Sequence, residues 1–304
     1  MAMLTFLGIG AQTCGTPWLD ANLRRHPGLY MPEGPPDGPS DGPSDGPKDL
    51  HFWDRHRHRG LDWYRGHFAA NTDGRPAGEI TATYAGLEPA VIHAMHETLP
   101  DIRIVYLIRN PVRRAWSSAR IALARAEMTL EDASDAWFID HFHSRASSVQ
   151  SDYEHCLRRW TGVYPRDHIH VELFDDVLAD PRGVLKRCAR HIGIDPRPFD
   201  DMPDETLADA STHGPGDSIR PSLHAHLVAH FTPRIRAFED YLGRDLSVWH
   251  RQNGLLPATP RRGAKGAGRT ATRPGLLAWF RRAVAANDPE TPGGSPPRPD
   301  RDDS

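Results

Sequence analysis

Cysteine is scarce in this chain. Cys14, Cys156 and Cys188 stand far apart, with no zinc-ligand spacing among them. A disulfide framework and a zinc finger are therefore excluded, and a reducing compartment is expected. Charge of one sign is not in surplus either. Lys and Arg number 37 against 40 Asp and Glu, a formal net charge of −3. That balance predicts no nucleic-acid partner. Long apolar runs are missing: nothing reaches membrane-spanning length, and residues 3–9 are too short for a signal peptide core and lack a charged leader. These absences predict a cytoplasmic protein. Hydrophobic content is only 38%, and low-complexity stretches account for much of the deficit. At 304 residues the chain has room for one α/β domain of about 250 residues plus tails.

What is present begins at the N-terminus. Residues 3–19 read MLTFLGIGAQTCGTPWL: an apolar strand, a turn with two glycines, then a helix start. Thr16 suits an N-cap, and Pro17 suits the first helical position because its missing N–H costs nothing there. A strand, a glycine turn and a helix N-terminus aim backbone N–H groups at one spot, which fits a phosphate. The turn alone also reads as a plain strand-to-helix connection. It lacks the Lys that a Walker A loop places before its Ser or Thr. A kinase-like NTPase is therefore disfavoured.

Two further segments narrow the reading. Residues 48–54 are KDLHFWD. Residues 109–118 are RNPVRRAWSS and directly follow an apolar strand, 102–108. Taken in order, the three segments resemble the sulfotransferases that use 3′-phosphoadenosine 5′-phosphosulfate (PAPS), most closely the bacterial and heparan-sulfate-type branch. The likeness runs over roughly residues 3–250. It includes GLDWYRGHF at 60–68, GEIT at 78–81, SDYEHCLRRW at 151–160, HIHVELFDDVLADP at 168–181 and YLGRDLSVW at 241–249.

The resemblance implies a P-loop-NTPase-like, three-layer α/β fold with a central parallel sheet. It implies PAPS as co-substrate, 3′-phosphoadenosine 5′-phosphate as product, and no metal requirement. Its nucleotide site would comprise Gln12, Thr13, Cys14, Gly15, Thr16, Pro17 and Trp18, with Arg109 and Ser117 on the 3′-phosphate. Arg109 offers a bidentate fork there and Ser117 a hydroxyl. Its catalytic set would be Asp49, matching the family's acidic base, with His51 and Lys48 beside it. In an extended segment residues two apart face the same side, so Asp49 and His51 are expected to look into one acceptor site. Arg114 matches a family Arg and is expected in an ion pair.

Some positions depart from the family pattern. Its loop Lys, which meets the leaving oxygen, aligns with Thr13. A second Lys of the heparan-type enzymes aligns with Ile80, and the loop's second Thr is Pro17. Losing the leaving-group charge opens an alternative: a catalytically weak or inactive nucleotide-binding relative. The acceptor stays open among small molecule, glycan and lipid, and oligomeric state is not legible.

Alternation of strand and helix predicts a parallel sheet covered on both faces. Strands are expected at 4–9, 77–81, 102–108 and 168–173. Helices are expected at 17–26, 60–69, 87–98, 111–127, 147–162, 181–192 and 222–242, with Asn110 capping the fourth. Residues 128–146 read as a helical excursion on Trp137, Phe138 and Phe142. The domain is placed at 1–256, interrupted by a low-complexity insertion at 33–47, EGPPDGPSDGPSDGP. Residues 257–304 read as a disordered, basic and Pro-rich tail. Within it, 275–286 fits a short amphipathic helix capable of weak membrane-surface contact.

Overall fold

Four short apolar strands form one sheet. They are β1 (Leu4–Gly10), β2 (Ala77–Ile80), β3 (Arg103–Ile108) and β4 (Ile169–Leu173). All pairings are parallel, in the order β2-β1-β3-β4. Gly8 sits beside Ile80 on one side and Val105 on the other. The computed structural model describes residues 4–34, 49–208 and 218–256. The insertion from residue 35, Lys48 and the tail from residue 257 lie outside the described residues, which all belong to one unit, Met1–Ala267.

Both faces of the sheet are buried, as a parallel sheet requires. Side chains alternate strictly along β3. Ile104, Tyr106 and Ile108 enter one apolar cluster, and Val105 and Leu107 enter the other. Helices cover the two faces. On the Val105 side lie α1 (Thr16–Leu23) and, later in the chain, a twelve-residue helix at Pro181–Ile192. The other face carries α2 (Gly60–Gly66), α3 (Pro89–Thr98), α4 (Pro111–Arg125), α5 (Asp135–His143), α6 (Arg145–Ser151) and α7 (Tyr153–Thr161). The chain continues through α8 (Phe174–Ala179), α9 (Pro181–Ile192), α10 (Asp204–Ala208), α11 (Pro221–Leu242) and α12 (Ser247–Gln252). This is the expected three-layer α/β arrangement.

Local chemistry explains the departures from the sequence reading. Gly15, not Thr16, caps α1. It takes φ +95°, and a Cβ there would lie 2.5 Å from the Phe174 ring. Only glycine meets both conditions, so Thr16 becomes the first helical residue and Pro17 the second. The single helix expected at 147–162 is two. Asp152 breaks it and accepts the His155 N–H at 3.2 Å, capping α7. Asn110 caps α4 as expected, accepting from the Val112 N–H at 3.0 Å. Phe138 and Phe142 are buried on α5. Among the described residues no helix is long and apolar enough to cross a membrane.

One buried carboxylate ties the β2 edge together. Glu79 is 1% exposed. It accepts from the Tyr64 hydroxyl at 2.7 Å, the Thr81 hydroxyl at 2.8 Å and the Tyr84 hydroxyl at 3.2 Å. Tyr84 in turn accepts the Trp53 N–H at 3.2 Å, which fixes the 51–54 segment to the sheet. Burial raises the Glu79 carboxyl from 4.5 to about 7, although the three hydroxyls pull it down. Between these values the folded chain holds a proton that the unfolded chain releases. Stability therefore falls as pH rises through that window. Glu79→Gln keeps the shape without the charge. It should flatten the slope and, at about pH 8, stabilise the fold on the order of 3 kcal/mol relative to wild type. Urea unfolding of both proteins at low and high pH checks this, and an unchanged slope would assign the titration elsewhere.

Candidate active site

In an open parallel sheet, ligands bind beyond the carboxyl ends of the strands, where strand order reverses. Here the reversal lies between β1 and β3. The loop 10–15 leaves β1 at that point, and Arg109 follows the last residue of β3. His51 and its partners meet the turn after β2. From β2 to β3, the sheet edge thus presents a histidine cluster, a glycine loop and an arginine.

The loop is held from behind. Gly10 takes φ +136° and packs so closely that a Cβ would lie 2.4 Å from the Ala82 carbonyl oxygen. The Ala11 N–H donates to the Leu107 carbonyl at 2.7 Å, and the Cys14 N–H to Ala11 at 3.2 Å. From α6, the Gln150 Oε1 accepts the Gln12 N–H at 3.0 Å. Thr13 adopts φ +63°, and its hydroxyl donates to the Arg114 carbonyl at 3.3 Å. The one donor its side chain owns is thus turned away from a ligand. Cys14 points inward, with Sγ 3.8 Å from the Tyr153 hydroxyl. Burial pushes its thiol up to about 11, against the pull of Arg114 and Arg109, so it is no nucleophile.

What remains for an anion is the start of α1. The Trp18 and Leu19 N–H groups already donate to the Gly15 carbonyl, at 3.0 and 3.2 Å, so the N–H groups left at the helix opening are those of Gly15 and Thr16. Pro17 contributes none. The buried Thr16 hydroxyl makes no hydrogen bond among the described residues. Trp18 does not line this spot. Its ring lies in the core beneath α1, and its indole N–H donates to the Leu207 carbonyl at 2.7 Å.

Arg109 supplies the charge. Its guanidinium carbon lies 5.3 Å from the Phe174 ring centre. Among the described residues it has no hydrogen bond and no carboxylate partner. The nearby acid, Asp175, is engaged elsewhere: its two oxygens accept the Trp249 indole N–H at 2.7 Å and the Gln252 amide at 2.5 Å. Burial lowers the Arg109 pKa, and Cys14 and Asp175 raise it. The half-buried Ser117 lies on α4, and its hydroxyl is likewise unengaged among the described residues. Arg114 is not the expected ion pair. It is 1% exposed and held by serine oxygens, with Nε on Ser151 Oγ at 2.6 Å and Nη2 on Ser147 Oγ at 2.7 Å.

On the β2 side, the shared face of Asp49 and His51 does not form. His51 takes φ +48° and opens a helical turn, 52–56, so the extended alternation stops there. The partner of His51 is Asp54: Nδ1 lies 3.1 Å from Asp54 Oδ2, and the Thr83 hydroxyl donates to that oxygen at 2.6 Å. A carboxylate on Nδ1 makes Nε2 the basic nitrogen. Asp54 stood in the KDLHFWD segment, and its spacing of three from His51 was the available signal. Asp49 is half-buried, and Ile80 packs in the core. Lysine is rare throughout. Beyond Lys48 and Lys265, which lie outside the described residues, Lys186 pairs with Asp200 at 2.6 Å.

Residues 87–201 match a family model described as the sulfotransferase family. Among curated proteins, the mouse (Mus musculus) heparan sulfate glucosamine 3-O-sulfotransferase 6 is 28% identical over 158 residues, covering 47% of this chain and 43% of that protein. The mouse heparan sulfate glucosamine 3-O-sulfotransferase 3A1 is 29% identical over 154 residues, covering 47% of this chain and 37% of that protein. The matched region is thus less than half of each relative. A solved sulfotransferase from Alicyclobacillus acidocaldarius superposes with a TM-score of 0.61 at 27% identity, covering 83% of this chain and all of that one. With its three motifs gathered along one sheet edge, the chain is similar to the sulfotransferase family in sequence and in fold.

Proposed function

We propose that this protein moves a sulfuryl group from PAPS to a hydroxyl or amine, with a glycan as the favoured acceptor class. The observation that carries the reading is Arg109, a guanidinium with no carboxylate partner among the described residues, set beside a helix N-terminus. Arg109 is half-buried, and a partly desolvated charge without a counterion favours an anion that arrives to meet it. Arg109 and Ser117 would grip the 3′-phosphate. The N–H groups opening α1 and the Thr16 hydroxyl would hold the 5′ end. PAPS supplies an activated sulfuryl group whose transfer leaves charge on a phosphate oxygen. His51, its tautomer set by Asp54, would take the acceptor proton at Nε2, with Asp49 as the second basic group. The glycan preference rests on the named relatives and on a run of basic residues, Arg55, His56, Arg57, His58 and Arg59, just after His51. Such a run attracts an anionic chain.

A second reading is supported by Thr13. The loop carries no cation, and the Thr13 hydroxyl is already engaged by Arg114. A protein built this way binds the nucleotide and turns it over slowly.

Three outcomes are expected. First, 3′-phosphoadenosine 5′-phosphate should raise the melting temperature, because a ligand that prefers the folded state stabilises it by mass action. Arg109→Ala should remove most of that shift, and a full shift in the variant would take Arg109 out of the site. Second, Asp54→Asn should lower kcat with nucleotide affinity unchanged, read from initial rates and calorimetry. Third, Thr13→Lys should raise kcat roughly tenfold to a thousandfold, the size of a lost oxyanion donor, with little change in nucleotide affinity. Lys also suits φ +63° better than a β-branched Thr does. The check is PAPS consumption with and without a glycan acceptor. Turnover already fast in wild type and unmoved by the substitution would mean another cation meets the leaving oxygen.

A further inference from the structure

Three imidazoles gather where the end of α5 meets α11. His226 and His230 are one helical turn apart on α11, so their rings rise from the same face. His143, the last residue of α5, reaches between them. Its Nε2 lies 2.9 Å from His226 Nε2. Its ring centre is 5.1 Å from that of His226 at 87° and 4.7 Å from that of His230 at 82°. His143 is exposed and the other two are half-buried.

We propose that His143, His226 and His230 form a binding site for a divalent transition metal of the zinc type, completed by water. The chemistry favours it. Imidazole is a preferred ligand of zinc, copper and nickel. Nitrogens about 2.0–2.1 Å from a tetrahedral zinc stand roughly 3.4 Å apart, so His143 and His226 need open by only about half an ångström. Two ligands on one helix at a spacing of four, with a third from a neighbouring helix, hold three corners of a tetrahedron. His230 must turn from its present partner, since its Nε2 meets the Arg234 guanidinium, and come closer, because the three histidines do not yet place their ligand atoms within 4.8 Å of one another. Arg234 is exposed and can swing into water.

The rival cluster is poorer. His170, Glu172 and Cys188 place ligand atoms within 4.8 Å of one another. Arg187, however, holds both Glu172 oxygens, at 2.6 and 2.9 Å, and Cys188 is fully buried with its thiol pushed upward. A metal there would have to displace an ion pair. At the His143 site it displaces only one histidine–histidine contact and one exposed arginine.

Binding would brace α5 against α11. The consequence reaches α4, because His141 on α5 lies 3.1 Å from the Ser118 hydroxyl, next to Ser117. This role is separate from sulfuryl transfer and does not depend on it.

The test uses the untagged, metal-stripped full chain. Zinc added in calorimetry should bind at one equivalent and raise the melting temperature. Cobalt should give the intense visible bands of a tetrahedral site. His143→Ala, His226→Ala and His230→Ala should each weaken zinc by at least roughly 10- to 100-fold, the loss typical of even an outer ligand partner. Urea midpoints without metal check that these variants fold. Arg234→Ala should tighten zinc by about a few-fold, since it removes a like charge near the cation in a wet environment. Failure to bind zinc stoichiometrically overturns the proposal. So does full binding retained in all three histidine variants. Binding lost in Cys188→Ser while the histidine variants keep it would move the metal to the rival cluster and overturn it too.

Discussion

A guanidinium buried without a carboxylate holds this site in shape. Arg114 lies inside the protein on serine oxygens from α6, and burial lowers its pKa. Stripping water from a charge is tolerable only when every donor finds an oxygen in good geometry. That demand fixes α6 across α4. With α6 placed, Gln150 reaches the Gln12 N–H, and the Arg114 carbonyl receives the Thr13 hydroxyl. The loop after β1 is therefore gripped on its inner side by α4 and α6. Its outer side, where α1 begins, is left for a ligand.

The unpaired state of Arg109 depends on a comparable distant arrangement. Asp175 is the natural counterion. Its carboxylate is instead held by Trp249 and Gln252 of α12, and Gln252 also accepts from the Asn110 side chain at 2.9 Å. One short helix near the end of the domain thus anchors the cap of α4 and keeps Asp175 off Arg109. Removing the Trp249 indole would free an acid to pair with the Arg109 guanidinium, which has no carboxylate partner among the described residues. Under the proposed function, nucleotide affinity and the packing of α12 would in this sense be one property.

The sheet was legible in the sequence because its strands are unbroken apolar runs between turn residues, and each lies within about a residue of its expected limits. The places of Arg109, just after β3, and of Ser117, on α4, were legible for the same reason: a strand end and a proline-started helix set them. What escaped involved long-range partners or backbone conformations without a composition signal. Trp18 reads as part of the nucleotide site until Leu207, 189 positions away, offers its carbonyl. Asp49 and His51 read as an extended pair until His51 takes a left-handed conformation that alternation cannot reveal. The break at Asp152 was hidden by helix formers on both sides. The ion pair expected for Arg114 failed because serines substitute for a carboxylate, and small hydroxyl residues on a helix give no sign of which charge they will meet.

The charge distribution along the sheet edge explains why binding groups and catalytic groups separate here. In the proposed reaction, backbone N–H groups and Arg109 would act on phosphates whose charge is present before and after transfer. Interactions of that kind lower the energy of ground state and transition state together, so they serve affinity and leave kcat unchanged. Rate comes from a group that meets charge only as it develops, and the loop position suited to it holds Thr13, with its hydroxyl spent on α4. In that proposed reaction His51 would answer for the acceptor's proton but not for the leaving oxygen. A site so composed would be complete on the acceptor and 3′-phosphate sides and short of one positive charge between them. Under the proposed function, a cation brought to the loop by Lys48 or by an arginine of the basic run after His51 would decide how fast the protein works.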